Sequence, residues 1–216
     1  MEDVDHNNQD PFTEDAEEEI PWPKKGDTLF ATGGDRRFSA YVGYRSEWFP
    51  YIEGYKLAAD VLVESLAEDR IRKHRSDADF VVYPIVFLYR QFLELSLKQI
   101  ILDGDELCGR ERKLPGRHEL EPLWTRCKDI LKKIGARGSD SEIAAIDKCI
   151  KQFSKNDDGS YSFRYPVNTG NKPSLPKKLN NIDIKCLADT MDGIAFWLDC
   201  AHTEIHERIR NLCSGF

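Results

Sequence analysis

The chain has no C-x-x-C pair: its six cysteines, Cys108, Cys127, Cys149, Cys186, Cys200 and Cys213, stand scattered through the second half. That spacing argues against a cysteine-built framework and points to reduced thiols in a reducing, cytoplasmic setting. No basic and then apolar leader opens the sequence, which starts acidic instead, so a secretory signal is not expected. A long hydrophobic run is missing too. The longest, Phe80 to Tyr89, holds ten residues, against the roughly 20 that a bilayer span needs, and no membrane association is expected. Sustained strand-like alternation and internal repeats are also absent. Finally, the body lacks a charge of its own. Residues 1–20 hold nine acids and no Lys or Arg, and removing that −9 from the formal −7 leaves +2 for the rest. The acidic tail has too little apolar surface to offset the entropy of ordering it, and is read as disordered. Residues 21–47, rich in Pro, Gly and aromatics, read as an irregular arm with a possible short hairpin at Gly33 and Gly34.

From Trp48 the pattern becomes helical. Trp48, Tyr51, Ile52, Tyr55, Ala59, Leu62 and Leu66 step by threes and fours along one face, predicting a helix to about Arg72. A second helix is expected over Asp79–Leu102, apolar all round in its first half, with Pro84 near its start or at a kink. Gly104, Gly109 and Pro115 then read as a loop. A third, from His118 to about Ile134, puts Leu120, Leu123, Trp124, Cys127, Ile130 and Leu131 on one side. Ser139 and Glu142 have the spacing of a capping box that opens a fourth helix, running to about Phe153. Residues 154–180 form a loop long enough to suggest a role. A fifth helix from about Asp183 carries a seam of Ile184, Leu187, Met191, Ile194, Leu198, Ala201, Ile205 and Ile209, which predicts lengthwise packing within the chain or across a dimer. The expected class is all-α, an antiparallel four- to five-helix bundle spanning residues 48–216.

Three stretches could carry chemistry. In YRQFLELSLK, Arg90, Glu94 and Lys98 recur every four residues and share one face of an otherwise apolar helix. Such a stripe is either a set of exposed ion pairs or one wall of a cleft, a buried network or an interface. In GRHELEPLW, His118 stands at a helix start beside Arg117, where backbone N–H groups can hold an anion and an imidazole can move protons near neutral pH. In YSFRYP, Arg164 lies between Phe163 and Tyr165, a combination that can stack on a base or clamp a phosphate, or simply anchor a loop. A fourth constellation is Cys200, His202 and His206: the two histidines at i and i+4 could ligate zinc from one helix face with Glu204 between them, but H-T-E-I-H is not the H-E-x-x-H pattern and no further ligand cluster is evident, so no metal site is expected.

Taken in order, ELSLK, HELEPL and the Arg164-Tyr165-Pro166 loop before a last long helix resemble the HEPN family, the higher eukaryote and prokaryote nucleotide-binding helical domains. The resemblance covers about residues 50–213. It implies a dimerising helical bundle of toxin–antitoxin, abortive-infection or other defence modules, often a metal-independent RNase in which histidine transfers a proton and arginine stabilises phosphorane charge. The family's late arginine-then-histidine motif is missing, because HTEIHERIRN has its histidines first. Arg112 and His118 have a matching separation, but in a loop. The resemblance therefore favours RNA or nucleotide binding over cleavage, with no cofactor. Arg90, Lys98, Arg164 and Tyr165 would hold the ligand, Glu94 would orient them, and His118 with Arg90 would be the candidate catalytic pair. A homodimer is expected, with a protein partner encoded nearby as a further possibility. The alternative is a non-catalytic interaction subunit whose charged residues form a structural network.

Overall fold

The computed structural model describes residues 22–43, 47–68, 77–136 and 138–214. The acidic tail expected over 1–20 lies outside the described residues. The chain divides into two units, Met1–Tyr44 and Arg45–Phe216, close to the boundary expected from composition. In the first unit the described residues are irregular apart from a short 3-10 turn, Arg36–Phe38, capped by the Asp35 side chain. No hairpin forms at Gly33 and Gly34. Instead the Ser39 hydroxyl donates to the carbonyls of Gly33 and Asp35 at 3.3 and 3.1 Å, curling the chain back on a local turn where a returning strand would have to run out.

The second unit is all-α. Its described residues form five helices: α1 (Phe49–Ala67), α2 (Asp77–Leu107), α3 (Leu120–Lys133), α4 (Asp140–Asp157) and α5 (Ile184–Ser214). α2 is the central rod, with α1, α3 and α5 packed against it and α4 against α3. Its central position explains the all-round apolar composition, since a helix with neighbours on several sides has little solvent face to mark. Ile85, Tyr89, Leu93, Leu97 and Ile101 are fully buried along it, and each such burial is worth about 1.5–3 kcal/mol.

α2 runs further than expected at its C-terminal end because Gly104 is a packing residue. A Cβ there would collide with the Ile130 side chain of α3, so the missing side chain lets the two helices approach. Pro84 lies inside α2 without ending it. The carbonyl it frees is that of Phe80, in the exposed first turn, where water can satisfy it. By length and composition α2 alone among the described residues could cross a membrane, although the longest apolar run in the sequence is short; half of the qualifying window is buried inside the bundle.

The six residues expected on one side of α3 are the ones buried there. Trp124 donates from Nε1 to Asp147 of α4 at 2.9 Å and meets the ring of Trp197 of α5 edge-on at 5.5 Å. Both halves of the Ser139–Glu142 capping box are present. The α5 seam packs within the chain, with Met191, Ile194, Leu198 and Ile205 buried in the common core. A polar clasp ties α1 to α2 and α5: Lys56 pairs with Asp60 at 2.7 Å and Asp192 at 2.6 Å, while the Tyr89 hydroxyl donates to Asp60 at 2.8 Å.

Candidate functional site

The stripe on α2 is a buried network. Arg90 is fully enclosed, and Glu94 and Lys98 are 2% and 6% exposed. The guanidinium donates to Glu94 Oε2 at 3.0 Å and to three backbone carbonyls: Asp157 at 2.9 Å, Asp158 at 2.8 Å and His118 at 2.8 Å. Two of these carbonyls close the C-terminal end of α4, where the helix dipole favours a cation. Glu94 Oε1 accepts from Lys98 Nζ and meets His118 Nδ1, both at 2.8 Å. Burial alone would push the Glu94 carboxyl up, but hydrogen bonds from Lys98, His118 and Arg90 hold it below the usual carboxylate range.

Arg90 is the pin between two of the stretches picked out in the sequence and the end of α4 that leads into the third. It joins α2 to the segment before α3 and to the loop after α4. That loop is set by Asp157, whose Oδ1 accepts from the backbone N–H groups of Tyr161 and Ser162 at 2.6 and 2.8 Å, with Ser160 held at a positive φ. Phe163 then plugs the core, while Tyr161 and Tyr165 stay more than half and half exposed. The Arg164 guanidinium sits among three rings, 5.0 Å from the centroid of Tyr161, 5.5 Å from Phe87 and 5.6 Å from Tyr165, and its Nε donates to the Ser160 carbonyl. At this rim the groups open to solvent are the His118 ring, Arg164, Tyr161 and Tyr165.

Arg90, Glu94 and Lys98 are thus held inside, where the guanidinium bonds Glu94 and three backbone carbonyls and Glu94 in turn binds Lys98 and His118. His118 has its Nδ1 held by a buried carboxylate and a side chain two-thirds exposed. The expected anion site at the start of its helix does not form. α3 begins at Leu120, two residues later, and the carboxylate of Glu119 accepts from the His118 backbone N–H, placing the protein's own negative charge there. Arg112 does not join His118 either: it pairs with Asp103 at 2.8 Å, and Asp103 is nine residues along α2 from Glu94, roughly 13 Å at 1.5 Å per residue.

A second polar cluster lies at that far end, and sequence reading missed half of it. His202 and His206, one turn apart on α5, turn their Nε2 atoms to Asp103 Oδ2 at 3.2 and 3.4 Å, and Arg112 holds Oδ1. The signal that could have found Asp103 is the pair of acids, Asp103 and Asp105, in the continuing apolar helix, once Gly104 between them is read as packing. Burial raises the Asp103 carboxyl, yet hydrogen bonds from His202 and Arg112 keep it below the usual range.

Searches of protein-family models, of curated proteins and of solved structures returned no match to this chain.

Proposed function

We propose that this is a HEPN-like helical domain of a bacterial defence or stress module that binds RNA or a nucleotide through the rim formed by His118, Tyr161, Arg164 and Tyr165. The observation that carries the reading is the exposed Arg164 guanidinium set among the rings of Tyr161, Phe87 and Tyr165. Aromatic faces accept bases at about 1–3 kcal/mol per stacked base, and a guanidinium clamps phosphate. Beneath it the Arg90–Glu94–Lys98 network serves as a rigid floor that holds both segments of the rim. Glu94, by fixing Nδ1 of His118, leaves Nε2 as the atom able to give or take a proton. A catalytic part for Arg90 is not supported, because its guanidinium cannot reach a phosphate while it holds three carbonyls.

One test separates binding from cleavage. Purified protein is titrated into labelled single-stranded RNA and incubated with total RNA and tRNA without metal, beside Arg164→Ala, Tyr161→Ala and His118→Ala. Binding is expected to weaken at least several-fold in the first two variants, with helical content unchanged. Cleavage by wild type that His118→Ala loses would add RNase activity to the reading. RNA and nucleotide affinity that is absent, or unaltered in the rim variants, removes it.

The second reading, a non-catalytic interaction or dimerisation subunit, has its own support. Phe49, Tyr51, Leu57 and Val61 of α1 and Phe196 of α5 are large apolar residues left more than 45% exposed. A concentration-dependent mass in solution that Phe196→Glu reduces, together with no RNA affinity in the rim test, would favour it.

A further inference from the structure

We propose that Asp103, His202 and His206 form a binding site for a divalent transition-metal ion, of which Zn2+ is the best fit. The proposal is independent of the rim described above. The donor set is two imidazoles and a carboxylate, a combination that borderline divalent ions accept with three protein ligands and an open fourth position. The geometry is already compatible. Metal–ligand bonds of about 2.0–2.2 Å at tetrahedral angles put neighbouring ligand atoms roughly 3.3–3.6 Å apart. The carboxylate oxygen stands 3.2 Å from one Nε2 and 3.4 Å from the other, and all three ligand atoms lie within 4.8 Å of one another.

The supports are rigid and come from different elements. His202 and His206 occupy successive turns of α5, their rings 4.3 Å apart and steeply inclined to each other, so one helix face presents both imidazoles. Asp103 is 4% exposed on the central helix, and Arg112 holds its other oxygen, which fixes the carboxylate plane and leaves Oδ2 for the ion. The Arg112 charge opposes a cation. It is offset in part by Glu106, 3.6 Å from the Arg112 Nε, and Arg112 is half exposed and able to swing aside. His206 is about half exposed, so the open coordination position faces solvent, where water or an anionic group can complete it.

The test uses the full chain, stripped with chelator and kept reduced. Zn2+ binding is measured by calorimetry, and Co2+ is added as a spectroscopic probe. One ion per chain is expected, with visible bands of four-coordinate Co2+ and no thiolate charge-transfer band. His206→Ala, a change at an exposed helix position that leaves the fold intact by circular dichroism, is expected to weaken binding by at least the roughly 10–100-fold seen when a mere supporting residue is lost. The proposal is overturned if wild type takes up neither ion, if His206→Ala binds as wild type does, or if a charge-transfer band shows cysteine to be the ligand.

Discussion

Replacing Arg90 with methionine keeps the aliphatic length and removes the charge and all its donors. The carbonyls of His118, Asp157 and Asp158 then lose their buried partner, and Glu94 is left with Lys98 and His118 alone. Hydrogen bonds to a charged group are worth about 1.5–3 kcal/mol each, so summing four would exceed half the stability of an ordinary domain. They share one guanidinium and are not additive. Breaking a buried pair by removing one partner costs about 3–5 kcal/mol, and that is the expected loss. With a urea slope of about 2–3 kcal/mol per molar, the unfolding midpoint should fall by about 1–2.5 M. Trp124 and Trp197, packed edge-on, supply the fluorescence signal. Peptides at 118 and 157–165 should also exchange hydrogen faster than in wild type, because Arg90 bonds the carbonyls of His118, Asp157 and Asp158 to α2. A midpoint shift below about 0.3 M with an unchanged slope would refute the assignment of Arg90 as the pin and return it to the list of ligand-binding residues.

Gly104→Ala drives a Cβ into Ile130 and is expected to cost about 1–3 kcal/mol by overpacking, a loss that Ile130→Ala in the same chain partly relieves; equal stability of Gly104→Ala and wild type by urea unfolding would mean α2 and α3 do not approach closely there. Acidification should destabilise the fold. Asp147 is held well below the usual carboxylate range by hydrogen bonds from Lys128 and Lys151, and Glu94 and Asp103 are also lowered. A depressed pKa contributes stability that is complete above the unfolded value of about 4 and is lost as pH falls through the folded one. Thermal midpoints should therefore drop below about pH 4, and Asp147→Asn should flatten part of that slope; a parallel pH profile for the variant would sink the link.

Much of the helical layout could be read along the chain because it rests on local spacing. The six-residue face of α3 and the Ser139–Glu142 box concern neighbours one turn apart, and both appear as expected. Gly104 was opaque for the opposite reason. Glycine in an apolar helix and glycine in a loop look alike until Ile130, 26 residues away, is known to press against it. The charged stripe shows the same limit. Spacing puts Arg90, Glu94 and Lys98 on one face, but it cannot tell which way that face turns.

By itself, then, the sequence determined the helix class and most of the core faces, and it marked YRQFLELSLK, GRHELEPLW and YSFRYP as the stretches that could carry chemistry. Tertiary structure alone decided what each charge does there. Packing by α1, α3 and α5 around α2 turned the stripe inward, where an ionised side chain must spend its hydrogen bonds on protein groups, and left His118 and Arg164 outside. It also brought Asp103 to two histidines 99 and 103 positions further on, a juxtaposition that no local periodicity encodes.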